Sequence, residues 1–425
     1  MQTFHRLRVF CLAASIWSAA ASGSGIYESV AIDENEQRLI QEANELGGYF
    51  NSQALLYKEP QVLELVRRVG HEIRPQPTDD YIEYEFFVMR DPSPNAFALP
   101  NGHVYVNTGM LARLRDEDQL AAVLAHEINH VAGHHSILDH RATRKKMVAG
   151  MVLGGLGGVG GIISIGLQTS VYGFARELEQ EADNHAVDIL RNSRYDPHAL
   201  PELFDILGED YEGLDPRTAT IWSTHPELHA RAQTSRALVA SLPPRERHVE
   251  EFEPALFALR AMTIQDYIQD DYPHTAVALA ESLAARYPDD PRLLALVGDA
   301  WQGMGARSAF DPATLTDSDK RQNLRERVRR TRAQRLAELL LTEEGRTAYA
   351  ANLKQAEDTY QRVLVMDPGF AAAYRGLGEV YEQQGRPRDA AEAYLAYLKS
   401  APDAADRPIV VGRLRVLTAK LRGDE

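Results

Sequence analysis

The sequence predicts a mainly α-helical protein with a small β-sheet, its globular N-terminal part followed by an α-solenoid. Three observations predict this. Leu120, Val123, Leu124, Ile128 and Val131 recur at helical spacing. Residues 84–89 read as a strand, and residues 96–108 as a hairpin turning at Asn101-Gly102, a strong turn dipeptide. After Pro243-Pro244 the pattern changes to paired helices with a period of about 34 residues.

In chain order, residues 1–21 read as a secretory signal peptide. Arg6 and Arg8 precede a short apolar run, residues 9–16, and small residues follow, with cleavage expected after Ala19 or Ala21. The run is too short to span a bilayer. The only cysteine, Cys11, falls inside it, so the mature chain is expected to hold no thiol and no disulfide. Export without disulfides points to a bacterial envelope. With 425 residues, 44% of them hydrophobic, the chain can form two or three domains with cores. Its formal charge of −15 argues against nucleic acid as the main partner.

The helical stripe around Val123 carries His126-Glu127-Ile128-Asn129-His130, a complete HExxH zinc-hydrolase pattern. Asp116, with Gln119 three residues on, reads as an N-cap with a capping-box partner, and Gly133 as the stop. Residues four apart share a helix face, so both imidazoles can reach one ion. Glu127 lies beside that face, where it can take a proton from water. The alternative is a surface helix that happens to carry two histidines. A zinc site of this kind needs a third protein ligand and leaves a fourth position for water. Residues 174–190, FARELEQEADNHAVDIL, offer Glu179 and Asp183, again four apart. One carboxylate would bind zinc, and the other would hold a ligand histidine from behind. Between the two helices, residues 147–175 carry no charge and nine glycines. The glycines and the break at Gln168-Thr169-Ser170 argue against a straight membrane span. A flap or an element in peripheral contact with a membrane is expected there.

The pairing of HEINH with ELEQEAD, followed by Thr224-His225-Pro226 and Arg231, resembles the peptidase family of the CAAX prenyl proteases and the bacterial heat-shock protease HtpX, over residues 36–242. The resemblance implies a gluzincin-type zinc peptidase domain. It implies one zinc per chain, with His126, His130 and Glu179 as ligands, Glu127 as catalytic base and Asp183 as the carboxylate behind a ligand histidine. Glu181, directly before Ala182-Asp183, falls off the ExxxD spacing. His225 matches the histidine of the family's His-Pro motif, which leaves two roles open: fourth zinc ligand or oxyanion donor. The hairpin before the metal helix stands where gluzincins place their substrate-side sheet, whose edge can take an extended peptide by strand addition.

Beyond the Pro-Pro pair, Tyr374, Leu377, Gly378, Tyr381, Ala390, Tyr394, Tyr397 and Pro402 fall on the spacing of a tetratricopeptide repeat. Ala356, Tyr360, Val363 and Pro368 fit the preceding second helix, and Leu294, Val297, Gly298 and Trp301 a first helix. Tyr267, Ala276, Ala280, Leu283 and Pro288 fit an earlier repeat. The domains expected are a signal peptide (1–21), a zinc metallopeptidase domain (22–245), a linker (246–256), a repeat domain (257–404) with an insertion at about 306–352, and a capping helix and tail (405–425). The segment from about Glu253 onward is expected to fold separately. The insertion carries a run of basic residues from Lys320 to Arg335, read as a solvated face or as packing on an acidic part of the chain.

Signal peptide, peptidase and repeats together resemble the beta-barrel assembly-enhancing proteases of the Gram-negative periplasm. That resemblance implies quality control of outer-membrane proteins in the periplasm, with unfolded or misfolded proteins as substrates and the outer-membrane assembly machinery as a partner of the repeats. The competing function class is a repeat-bearing chaperone or adaptor whose zinc site is structural or held closed. Intact Glu127 favours the enzyme, since a structural site has no use for a base there.

Overall fold

A computed structural model describes residues 27–142, 174–213, 227–250, 252–270, 272–304 and 340–423. The expected signal peptide, nearly all of the glycine-rich stretch, His225 and the basic run lie outside the described residues.

The sheet has three strands in the order β1 (Glu85–Met89), β3 (His103–Asn107), β2 (Ala96–Ala98), with β1 parallel and β2 antiparallel to β3. The expected hairpin is β2–β3. It turns at Gly102, whose φ of +96° and close approach to the Glu83 backbone leave no room for a side chain. Alternation gives the sheet two buried faces. Phe87, Met89, Phe97 and Tyr105 point to one side, where helix α1 (Glu34–Ser52) covers them with Leu46 and Phe50. Phe86, Val88, Ala96, Ala98, Val104 and Val106 point to the other, into the main core shared with α2 (Pro60–Ile73). Residues 55–57 bond along the outer edge of β1, whereas no described strand pairs with the outer edge of β2.

After a buried turn of helix, α3 (Thr108–Arg113), comes α4 (Glu117–Ala132), the helix of the HExxH pattern, with all its residues buried. Asp116 caps it, accepting from the Gln119 N–H at 2.8 Å, while the Gln119 side chain reaches Arg115 N rather than closing the box on Asp116. Beside it lie α5 (Arg176–Arg191), α6 (Ala199–Gly213) and α7 (Leu228–Val239).

The expected linker is tied down. Arg245, just before it, donates to the carbonyls of Leu190, Arg191, Ser193 and Tyr195, closing the C-terminal end of α5. Arg247 grips Asp116, and His248 bonds Asp118 through its N–H at 2.8 Å while its carbonyl accepts from Glu117 N. The segment is a strap across the start of α4.

The repeats follow as helix pairs: α8 (Phe252–Gln269) with α9 (Pro273–Arg286), α10 (Pro291–Met304) with α11 (Glu343–Met366), and α12 (Ala371–Gln383) with α13 (Pro387–Ser400), capped by α14 (Arg407–Arg422). The glycines of the repeat pattern make slots for aromatics. The Tyr360 ring sits against both Gly298 and Gly376, and the Tyr394 ring against Gly378. Two expectations change. The insertion ends near 342 rather than 352, because Thr342 caps Gly345 N and α11 then runs unbroken into the repeat. Nor do the repeats stand apart. One apolar cluster runs from Val62 in α2 to Met304 in α10. Arg260, 1% exposed, donates from α8 to the carbonyls of Ala112 and Leu114 beside α4. Among the described residues no helix is long and apolar enough to cross a membrane.

Candidate metal centre

His126 and His130 lie one helical turn apart on α4, and Glu179 faces them from the first turn of α5. The two Nε2 atoms are 3.0 Å apart, and each lies 3.5 Å from a Glu179 oxygen. Tetrahedral zinc with bonds of about 2.0–2.1 Å separates its ligand atoms by about 3.3 Å. The three side chains therefore already have the spacing of groups sharing one ion. Two imidazoles and one carboxylate form the donor set of a catalytic zinc site, one ligand short of closed. The residues fit the metal.

Behind this trio is a second layer of charge. Asp183, one turn beyond Glu179, reaches His126 Nδ1 at 3.0 Å, leaving Nε2 to face the centre. Arg231 of α7 holds Asp183 with two bonds of 2.7 and 2.8 Å and extends Nη1 to Glu179 at 2.8 Å. Its guanidinium lies on the Phe204 ring. Burial works against charge on Asp183, but Arg231 and His126 outweigh it and hold the carboxyl below its ordinary range. Burial likewise pushes His126 down, yet the bonds from Asp183 and Glu179 prevail and raise it to about 9. The pocket favours positive charge at this imidazole.

Glu127 and His126 border a small cavity of about 30 Å³, room for about two waters. Met110, Val123, Leu203 and Leu228 give it apolar walls, Arg231 a polar one, and Ala96 brings the β2 edge to it. Glu127, His126 and strand β2 thus meet at one small space.

The structure brings together His126, Glu127, His130, Glu179 and Asp183. Glu181 points away, half exposed, its carboxylate 4.0 Å from His135 Nε2. Sequence reasoning reaches Arg231 only through the resemblance, with no role attached. It misses His135 and Phe174, although a histidine pair directly after Gly133, just past the metal helix, is a signal. Phe174 stacks flat on the His130 ring, centroids 4.0 Å apart.

Comparison with known proteins agrees. Residues 58–239 match Peptidase family M48, and residues 343–405 match a tetratricopeptide repeat. The mitochondrial metalloendopeptidase OMA1 of Schizosaccharomyces pombe is 30% identical over 237 residues, 51% of this chain and 69% of that protein. The chain belongs to peptidase family M48. A second relative is the putative beta-barrel assembly-enhancing protease of Vibrio cholerae, 28% identical over 206 residues, 46% of this chain. The match spans only 42% of that relative's length. The metalloprotease YcaL of Escherichia coli is 26% identical over 235 residues, 52% of this chain and 87% of its own length. An M48 metallopeptidase domain followed by tetratricopeptide helices is therefore the architecture of this chain.

Proposed function

We propose that this protein is a zinc-dependent endopeptidase of envelope quality control, exported to the periplasm of a Gram-negative bacterium, where it cleaves misfolded or stalled outer-membrane proteins. The observation that carries the chemistry is the His126–His130–Glu179 trio, its ligand atoms within 4.8 Å of one another, with Glu127 at the adjoining cavity. The envelope reading rests on the sequence expectation of a signal peptide and on relatives named beta-barrel assembly-enhancing protease.

His126, His130 and Glu179 would hold the zinc. When bound, zinc supplies Lewis acidity toward a scissile carbonyl and the attacking water. Glu127 takes the proton from that water and passes it to the leaving amine. Asp183 fixes the His126 tautomer, and Arg231 keeps two buried carboxylates from repelling each other. His225 keeps its two proposed roles, fourth ligand or oxyanion donor. The outer edge of β2 suits an extended segment, so unfolded chains are the substrate class the site fits. The repeats would present a surface to partner proteins.

Glu127→Gln tests the reading. It should bind one zinc per chain and cleave an unfolded outer-membrane protein at least about a hundredfold more slowly. Cleavage at the wild-type rate would overturn the assignment of the base. Stoichiometric zinc at wild-type affinity in Glu179→Ala would overturn the ligand set.

A further inference from the structure

The two ligand histidines are backed differently. His126 Nδ1 meets the Asp183 carboxylate. His130 Nδ1 lies 2.8 Å from Nδ1 of His135, a side chain only 1% exposed. The chain reaches this position through an unusual turn. α4 stops at Gly133, and His134 takes a left-handed conformation with φ +54°. Such a backbone is uncommon for a side chain other than glycine, and surrounding contacts must hold it. Here Tyr81 Oη bonds His134 Nδ1 at 3.0 Å, while Asp79 and the Glu28 carbonyl lie 3.3 and 3.2 Å from Nε2. The reversal folds His135 back against the helix it has just left. Gly133 makes the return possible, since a Cβ there would stand 2.5 Å from His135 Nε2.

We propose that His135 is a positioning residue for the metal site, acting through His130. An imidazole that gives Nε2 to a metal carries its proton on Nδ1 and needs an acceptor there. His135 Nδ1 is that acceptor. Its own proton then sits on Nε2, the nitrogen 4.0 Å from Glu181. The bond fixes the tautomer of His130, and the Phe174 ring stacked 14° from parallel fixes its plane. Glu181, off the ligand spacing, is the carboxylate beside His135 Nε2, though beyond hydrogen-bond distance of it. Using a neutral imidazole here, with Asp183 behind His126, orients both ligands while placing only one extra negative charge in the pocket. A second carboxylate behind His130 would add to the repulsion that Arg231 already has to balance.

The inference rests on reading His130 as a zinc ligand, and its test separates the two. In the full-length protein, zinc affinity is measured by competition with a chelator, and the metal-free melting temperature is taken alongside. Asn places Oδ1 where His135 has Nδ1, whereas Gln places Oε1 near the Nε2 position and Leu offers no acceptor. His135→Asn should stay within roughly threefold of wild-type zinc affinity, while His135→Gln and His135→Leu lose about ten- to a hundredfold. If the Leu variant fails to fold, the Asn–Gln comparison decides alone. Wild-type affinity in Gln, or an Asn variant as weak as Gln, overturns the positioning role. Glu179→Ala run in parallel shows which reading has failed: if it too keeps wild-type affinity, the site assignment falls; if it loses zinc while the His135 variants do not, only this inference falls.

Discussion

Arg231 shows how much one side chain can carry. It neutralises Asp183 and Glu179 at once, in a pocket where all three are at most 9% exposed. Removing one partner of such a buried set leaves uncompensated charge, at about 3–5 kcal/mol. Arg231→Met should therefore lower the stability of the chelator-treated protein by about that amount. With zinc bound the loss should be smaller, because the ion supplies positive charge beside the same carboxylates. Denaturant melts with and without zinc measure the difference, and equal losses in both would show that Arg231 acts by packing alone. The core of the site was legible in the sequence because its geometry is local: four residues make one helical turn, so His126 with His130, and Glu179 with Asp183, declare themselves by spacing. Arg231 and His135 were not legible as participants. Arg231 meets Asp183 across 48 residues, and His135 arrives only through a left-handed turn that no periodicity announces.

At the scale of elements, the repeat helices are keyed by glycine. Tyr360 lies between α10 and α12, its ring against Gly298 and Gly376, its hydroxyl bonded to Asp299 at 2.6 Å and Gln302 at 3.2 Å. Held at both ends, the ring cannot yield to a new methyl group. Gly376→Ala should cost about 1–3 kcal/mol by overpacking, despite the better helix propensity of alanine. Gly412 on α14 has nothing within 4 Å of the place a methyl group would take. There the same change should raise stability by up to about 1 kcal/mol. Thermal melts of the pair should thus move in opposite directions, and a shared sign would refute the keyed packing. These helices were readable because small and aromatic residues at fixed positions are a packing rule written in sequence. The true start of α11 was not, because a stretch lacking repeat-pattern matches looked like insertion, and the cap from Thr342 is a single contact.

For the molecule as a whole, the boundary expected at 246–256 is a joint rather than a tether. Phe252, Leu256, Leu259 and Tyr267 of α8 belong to the same buried cluster as Val66 of α2 and Leu111 of α3. A chain ended at residue 250 would bare that surface and lose Tyr267, whose hydroxyl accepts from Arg113 at 3.2 Å. It should be insoluble or fail to retain zinc. A chain ended near residue 304 keeps the shared cluster and should stay soluble with zinc bound; metal content after gel filtration compares them. Two equally soluble, zinc-loaded products would show the joint to be dispensable. The Pro-Pro pair and the charged run resembled a linker because charges with no local partner look solvated. Their partners, Asp116, Asp118 and the carbonyls ending α5, lie 50 to 131 residues away.

The strap has a consequence for the order of events during synthesis. The metal helix is complete in sequence by Ala132, but His248, which accepts from its first N–H, and Arg260, the α8 arginine that secures the carbonyls just before it, come more than a hundred residues later. A chain growing at 5–20 residues per second needs on the order of ten seconds to cover that interval. Until then the start of the helix is held by its local cap on Asp116 and by Arg68 and Arg194 on Glu117, and the sheet beside it lacks part of its cover. A hydrolase built this way completes its packing only when more than half of its chain has been made. The first repeat is then a closing piece as well as a scaffold, since its α8 side chains are the last to reach the core beside the helix that carries His126 and His130.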